Sequence, residues 1–536
     1  MFIILKTIIF LIIVNFGTGF IISKLLKTRE IGFFQVSLYG MMGIIFIETL
    51  CAFFVPLDYR VEITLFMLGL SGVLWFIKEK DITILEFRKN LDFWFWIFVI
   101  LIIFLGSSSP YLYDHYIYYV STINYLKEIG FVKGISNLDL LLGQTSFWHI
   151  YQSGFSTFID FNLRINTYVL FLFLIYIYQN KRPFFLLFFP FFLIFIKQPS
   201  PDLPVFILTL IVFNEIMEKR NNTFVLALSL FAFCIKPISF WLPILVILES
   251  FHSRSFKLKS LIPIFIFSLM FTIKNIWLFG FPVFPLSLLD LNFAWKPSKE
   301  ILTYSSQIGF MKSYDMAYSY QQISEFNIWE KIYHWFTSGY KSVFNIAIIL
   351  CLIVLGVFAV KKKGLLYKII FGSIIVKFVL LIIISAQYRF FIDVYLVTIF
   401  VLVKDISYEK TIFTAVFLSV LTAVVFTFPD FVKQRFHLGK WMSGFTSSQL
   451  IRPVEFHKEN YKSYQLGNLK FNATKKLIEQ APFPAIPLFW LKTYEYYNIF
   501  PQLDKGGFVQ RKMTNEERLE LKKIIGDLEK STPIIN

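Results

Sequence analysis

The sequence has little charge and very little cysteine. Charged residues make up 16% of its 536 residues, and the three cysteines, Cys51, Cys234 and Cys351, lie far apart inside apolar runs. This spacing predicts neither a disulfide framework nor a cysteine metal site. A glycine-rich nucleotide loop, heptads and a repeat of fixed period are also missing from the sequence. The patterns of a P-loop nucleotide enzyme, a coiled coil or a repeat array are therefore not present.

Apolar residues dominate instead, at 56% of the chain. Runs near or above the roughly 20 residues that span a bilayer as a helix recur from the N terminus to about Phe428. The alternating pattern of a membrane barrel is absent from the sequence, which favours helices. The sequence therefore predicts an all-α polytopic membrane protein with about 14 transmembrane helices in residues 1–428. The first run, Phe2 to Ile22, has no cleavage motif and is predicted to be an uncleaved span.

The net charge of +17 does not indicate a nucleic-acid partner, because the basic residues fall in short clusters between apolar runs. Such clusters are typical of topology signals and of contacts with anionic lipid. The positive-inside rule places large outer loops at about residues 106–166 and 280–340 and both termini outside. Residues 429–536 carry many charges and are predicted to form a small extracytoplasmic domain. Its terminal helix begins with a capping box from Thr514 to Glu517.

The first outer loop contains the segment GSSSPYLYDHYIYYVSTINYLKEIG at residues 106–130. It is too polar for a span and rich in tyrosine, as expected of helices that lie along a membrane interface. Residues 115–128 are predicted to form an amphipathic helix with Tyr116, Val120 and Ile123 on one side.

Six ionisable residues are predicted at the outer ends of separate segments: Asp114, Lys197, Asp202, Lys236, Lys274 and Arg389. A charged group inside the membrane costs about 2 to 3 kcal/mol on insertion scales unless it pairs or faces a polar cavity. The sequence therefore predicts that these six groups share one pocket. The cations suit a phosphate, and Asp114 suits a general base that removes a proton from an attacking hydroxyl. A lipid-phosphate sugar fits both, since nucleotides are not available outside the cytoplasm.

Several short motifs resemble a family. They are YDHYIYY at 113–119, GFVKGISNL at 130–138, QTSFW at 144–148, PSPDLP at 199–204, KN at 274–275 followed by GFPVFP at 280–285, and YRF at 388–390. Across about residues 106–390 the chain resembles glycosyltransferases of the GT-C type, and most closely an uncharacterised bacterial branch of that class.

The resemblance implies that Asp114 is the catalytic base and that Lys236, Lys274 or Arg389 binds the donor phosphate. The remaining residues assigned to substrate binding are Tyr113, His115, Lys197, Asp202 and Asn275. The expected donor is a polyprenyl-phosphate sugar, and the acceptor is an envelope glycan or lipid. Many such enzymes carry a second acid beside the first, and His115 stands there instead. A divalent metal is therefore not supported by the sequence, and the cofactor stays unassigned.

The acidic and histidine residues also have structural interpretations. Asp114 and Asp202 each precede a predicted helix and are suited to cap it. His115 and His149 suit interfacial hydrogen bonding, because no third ligand stands at a metal-binding spacing.

The cations have structural interpretations as well. Lys197 is suited to a snorkelling anchor at the headgroup level. Arg389 lies one helical turn from Asp393 and is suited to pair with it.

Three functions compete for this sequence. The first is a glycosyltransferase of the bacterial cytoplasmic (inner) membrane that acts on the outer face in envelope polysaccharide or glycolipid synthesis. The second is a transporter or flippase of lipid-linked or anionic solutes, a class that favours interrupted spans and related halves. The third is a membrane scaffold without chemistry of its own.

Overall fold

The computed structural model describes residues 1–28, 32–80, 82–220, 222–362, 364–436, 442–454, 461–475 and 481–530. Parts of the predicted C-terminal domain therefore lie outside the described residues. Within the described ranges the chain is mostly helical.

The first twelve helices are α1 (Phe2–Leu25), α2 (Phe33–Ala52), α3 (Tyr59–Glu79), α4 (Phe93–Gly106), α5 (Val120–Glu128), α6 (Phe147–Ser153), α7 (Ile165–Gln179), α8 (Phe189–Phe192), α9 (Asp202–Met217), α10 (Thr223–Ile235), α11 (Trp241–His252) and α12 (Leu261–Phe279). They are followed by α13 (Lys299–Ser313), α14 (Tyr320–Glu325), α15 (Ile328–Thr337), α16 (Ser342–Lys361), α17 (Leu365–Ile384), α18 (Ile392–Val403), α19 (Tyr408–Thr427), α20 (Asp430–Phe436), α21 (Leu488–Tyr497) and α22 (Asn515–Lys530). The strands are β1 (Lys462–Leu466), β2 (Leu469–Thr474), β3 (Ala485–Pro487), β4 (Ile499–Asp504) and β5 (Gly507–Lys512).

Seven helices in the described ranges are long and apolar enough to cross a membrane. They are α1, α2, α3, α12 with the turn before it, α16, α17 and α19. The segments Thr83–Asn90 and Phe93–Gly106 add an eighth crossing if they are one span, although they meet at a bend of 98°. The prediction of a polytopic helical membrane protein is confirmed. The other predicted crossings fall on shorter helices, including α7 and α10, whose 10 to 17 residues identify no span by length alone.

The chain forms two compact units. The first comprises Met1–Leu203, Thr272–Pro297 and Ile406–Asn536, and the second comprises Pro204–Phe271 and Ser298–Asp405. In the first unit α1 packs along both α2 and α3, and α19 packs on α4. In the second unit α17 packs on α11 and α16, and α16 also contacts α15 and α18.

Glycines bring the first three helices close together. A Cβ on Gly17 of α1 would overlap the carbonyl of Gly69 in α3, and a Cβ on Gly40 of α2 would overlap the carbonyl of Asn15 in α1. Small residues at such crossings let apolar membrane helices approach to backbone contact, where dispersion attraction is strongest. Substitution of Gly17 or Gly40 by a larger residue would therefore separate these helices.

The predicted first outer loop, residues 106–166, contains short helices. A single π-helical turn at His115–Tyr119 leads into α5, so the helix predicted over residues 115–128 is confirmed. Tyr116, Val120 and Ile123 are buried, as the amphipathic pattern predicts. Glu62 at the start of α3 anchors the far end of this loop. Its carboxylate accepts the backbone N–H groups of Thr157 at 3.0 Å and Ile159 at 2.6 Å.

The C-terminal segment contains strands that were not predicted. β2 pairs antiparallel with β1 and parallel with β3, and β4 pairs antiparallel with β5. The predicted capping box is confirmed, since Glu517 N donates to Thr514 Oγ1 at 3.2 Å and Thr514 N donates to Glu517 at 2.9 Å. This segment binds the first outer loop, because the Tyr494 hydroxyl donates to the Leu138 carbonyl at 3.0 Å.

Candidate functional site

Asp114 lies where the chain leaves the apolar helix α4 and enters the π-helical turn. Its side chain is half-buried and makes no capping hydrogen bond to that turn. The capping alternative is therefore not supported by the geometry. Tyr113 beside it is 58% exposed. A π-helical turn is rare and is found frequently at functional sites, because it rotates side chains away from ordinary helical positions.

Arg164 fixes the segment that leads to Asp114. The guanidinium is fully buried and donates to the carbonyls of Gly106 at 3.0 Å, Ser108 at 3.2 Å and Asn162 at 2.7 Å. Burial lowers the pKa of Arg164 to about 10, so it remains protonated at neutral pH. Its backbone N–H binds Asp160 at 2.7 Å. The sequence analysis did not identify Arg164, because a single arginine before an apolar run resembles a topology signal.

Tyr119 lies within electrostatic range of two predicted acids. Burial, the neighbouring Tyr118 and then the charges of Asp114 and Asp202 raise the pKa of Tyr119 well above its ordinary value. Ser200 also hydrogen-bonds to Tyr119. The π-helical turn and the PSPDLP segment therefore lie near enough for both carboxylates to influence one tyrosine.

Asp202 is the first residue of α9 and interacts with Ser200. Its backbone N–H donates to the Ser200 hydroxyl at 3.2 Å, and that hydroxyl donates to the Asp202 carboxylate at 3.1 Å. Ser200 therefore provides the local acceptor at the start of α9.

His149 borders the same tyrosine, and Lys274 lies near His149. The rings of His149 and Tyr119 are 4.8 Å apart, and the Pro199 backbone hydrogen-bonds to His149. Burial lowers the pKa of His149 to about 3, so its ring is neutral, and Nε2 has no hydrogen-bond partner among the described residues. Lys274 lies close enough for its charge to add to this shift. Burial, then Arg164 and His149, likewise keep the pKa of His115 well below its ordinary value.

Lys274 is buried and its ammonium is held by backbone oxygens. Nζ donates to the carbonyls of Thr145 at 2.7 Å and Gln144 at 3.2 Å, and it lies 5.3 Å from the Phe147 ring centroid. Asn275 beside it donates to the Pro282 carbonyl at 2.9 Å. The KN and QTSFW motifs therefore form one structural unit.

Lys197 is fully buried, so it does not snorkel to the headgroup level. Its ammonium lies 5.4 Å from the centroid of the Tyr111 ring and also contacts the Phe426 ring. It has no hydrogen-bond partner among the described residues. Burial and then the charge of Arg164 hold the pKa of Lys197 well below its ordinary value. A buried ammonium without an anion is costly, and this favours a site that an anionic group completes.

Lys236 and Arg389 belong to the second unit, where both lie near Phe390. The Lys236 ammonium is 6.0 Å from the centroid of that ring, and the Arg389 guanidinium carbon is 5.3 Å from it. Arg389 Nε donates to Gln387 at 3.2 Å. The structure therefore brings these two predicted cations together within the second unit. That all six charged groups share one pocket stays a prediction.

A buried ion pair in the second unit was missed by the sequence analysis. Lys377 on α17 pairs with Asp393 on α18, and the Trp241 indole of α11 donates to Asp393 at 2.8 Å. Asp393 therefore has a partner other than the one considered from the sequence. The available signal was Lys377, which lies deeper in the apolar run 365–385 than the other lysine of that run, Lys368.

The described residues contain no group of three or more His, Cys, Asp or Glu side chains placed to hold a metal ion. The cofactor therefore stays unassigned.

The fold and its apolar helices define a polytopic helical membrane protein. A profile of the family described as "Domain of unknown function (DUF8201)" matches residues 1–396, and the chain belongs to that family. No curated protein and no solved structure matches the chain. The assignment of an activity therefore depends on the site itself.

Proposed function

We propose that this protein is a GT-C-type membrane glycosyltransferase that transfers a sugar from a polyprenyl-phosphate donor to an envelope glycan or lipid. Asp114 is the general base in this proposal. Lys197 and Lys274, which belong to the first unit as Asp114 does, bind the donor phosphate. Tyr113, His115, Asp202 and Asn275 line the substrate site.

The observation that carries the proposal is that the charges of Asp114 and Asp202 both act on the buried Tyr119, whose ring lies 4.8 Å from that of His149, while the charge of Lys274 acts on the same histidine. The half-buried Asp114 carboxylate makes no capping hydrogen bond and is of the kind that serves as a general base. The buried Lys197 and Lys274 suit the leaving phosphate, since Lys binds phosphate as a point charge.

The proposed step is a direct displacement at the anomeric carbon. The acceptor hydroxyl oxygen forms the new bond to that carbon while its proton moves to Asp114. The bond between the anomeric carbon and the phosphate oxygen breaks, and its electron pair leaves on the phosphate. The cations stabilise the charge that develops on this oxygen. The attack inverts the configuration at the anomeric carbon.

We also propose a membrane and an orientation for this protein. Fourteen crossings of the bacterial cytoplasmic membrane would put the first outer loop and the C-terminal segment on the extracytoplasmic face. The contact of Tyr494 with the Leu138 carbonyl supports a common side for these two regions. Lipid-linked donors are available on that face.

A comparison of lipid extracts tests the proposal. Cells that lack the protein should accumulate one polyprenyl-phosphate sugar, measured by mass spectrometry, and the wild-type gene should remove it. A gene encoding Asp114→Asn should leave the lipid accumulated, whereas the exposed Asp405→Asn control should clear it. Identical extracts with and without the protein would refute the proposal.

A transporter or flippase is the second candidate, and the Lys377–Asp393 pair favours it. Ionisable residues within spans often mark solute or proton pathways. Transport by proteoliposomes of a fluorescent polyprenyl-phosphate sugar, without any transfer product, would support this candidate. A scaffold has no such specific observation in its favour.

A further inference from the structure

We propose that α15 is a membrane-docking helix that lies in the lipid headgroup region beside the N-terminal end of the span α16. This inference does not depend on the glycosyltransferase proposal. The occupant of its exposed apolar face is the bilayer itself.

The spacing of the apolar residues in α15 places them on one side of the helix. At about 100° per residue, Ile328, Ile332, Phe336, Trp329 and Tyr333 fall on one arc of the helix. Trp329 is 76% exposed and Tyr333 is 63% exposed. Large apolar side chains grouped on one exposed arc mark an interaction surface, because water is a poor solvent for such a patch.

Hydrogen bonds at its start and near its end hold α15 with this face outward. An Asn327–Glu330 capping box starts the helix, with Asn327 Oδ1 accepting the Glu330 N–H at 3.0 Å. At one edge of this arc, next to Ile328, the buried Trp335 donates its indole N–H to the Ala386 carbonyl at 3.2 Å. The exposed apolar arc is therefore presented by a packed helix.

The apolar arc of α15 lies next to the candidate span α16. α16 is a candidate span that begins at Ser342, and its exposed side chains include Val343 at the first turn. Tyr340 between the two helices is also exposed. The apolar arc of α15 therefore joins a surface that faces acyl chains. Trp and Tyr are the residues enriched at membrane interfaces, where an apolar ring and a polar tip are both satisfied.

A polar side of α15 lies away from the apolar arc. The neighbouring polar positions of α15 carry Glu330, Lys331 and His334, as in amphipathic helices that lie flat at an interface. Through Trp335 the same helix also holds the turn that leads to Arg389. Docking of α15 would therefore fix the height of that turn relative to the headgroups.

Depth-dependent fluorescence quenching tests this proposal. Cys51, Cys234 and Cys351 are replaced by alanine in the full chain, and Trp329→Cys is labelled with an environment-sensitive fluorophore in phosphatidylglycerol nanodiscs. Ser324→Cys, at an exposed polar position on α14, is the aqueous control. Val343→Cys is the lipid-facing control. Circular dichroism and size-exclusion chromatography verify that each labelled protein is folded.

The expected result is that spin-labelled lipid quenches the Trp329 label several-fold more than the Ser324 label and nearly as much as the Val343 label. Aqueous iodide should show the opposite order. A Trp329 label that iodide quenches as well as the Ser324 label would overturn the proposal. Protection of that label from both quenchers would also overturn it, since it would identify a protein partner or a second copy on this face.

Discussion

Replacing Arg164 with methionine should destabilise the protein strongly. The guanidinium is fully buried and serves three backbone carbonyls that belong to Gly106, Ser108 and Asn162. Methionine fills a similar volume but leaves these oxygens and the Asp160 carboxylate without their cation. Removal of one partner from such a buried charged network costs about 3 to 5 kcal/mol. A lysine at this position should recover only part of the loss, because it lacks the forked donors that reach separated carbonyls.

Thermal unfolding in nanodiscs of one lipid composition measures this effect. Arg88→Met is the matched control, because Arg88 is exposed on the turn before α4. Surface changes of that kind fall within about 0.5 kcal/mol of the wild type. The reasoning would be refuted if the Arg164→Met protein unfolded at the same midpoint as the Arg88→Met protein. A second readout is proteolysis between residues 106 and 114, which should become faster only in the Arg164 variant.

Three further predictions concern other buried charges. Lys377→Met alone should cost about 3 to 5 kcal/mol in unfolding free energy, whereas Lys377→Met with Asp393→Leu should regain most of it, because the unpaired carboxylate is then removed. A double variant as unstable as the single one would contradict this. Lys197→Met should raise the midpoint of thermal unfolding, because it removes a buried cation. The same variant should retain polyprenyl-phosphate probes more weakly than the wild type. A lower unfolding midpoint would contradict this prediction. For Asp139, burial raises the pKa from 3.8 to about 7, so the folded state holds an extra proton between these values. The wild type should therefore lose stability as pH rises through this window, and Asp139→Asn should reduce that slope; equal slopes would be evidence against the assignment.

Apolar runs were the most reliable guide to the fold. α1 begins at Phe2 as predicted. Such elements are defined by their own composition, because a span must bury its backbone polar groups internally. The capping box at Thr514 is equally local. The helix boundaries in the interrupted region before α9 were harder to predict, since 3₁₀ turns and the four-residue α8 have the same composition as a span.

Contacts between distant segments were not predictable from composition. Glu62 binds the backbone of residues 157–159, and Arg164 binds the end of α4. No local sequence motif at either residue indicates which distant segment it contacts. The strands β1 to β5 were missed because each has only 3 to 6 residues, too few to set a period of two apart from the surrounding turns. Within the candidate site, the motifs identified Asp114 and Asp202, but only the structure indicates that the charges of both help to raise the pKa of Tyr119.

The most direct test of the central claim compares Asp114→Asn with Asp405→Asn in purified nanodiscs. Each protein is given a panel of radiolabelled polyprenyl-phosphate hexoses and pentoses with the membrane glycolipid fraction as acceptor. Loss of a general base lowers turnover by about 10²- to 10⁴-fold. Asp114→Asn should show that loss while it retains the donor as tightly as the wild type, and Asp405→Asn should keep full turnover. Unchanged transfer by Asp114→Asn would contradict the account, and so would the absence of transfer by the wild type with every donor in the panel.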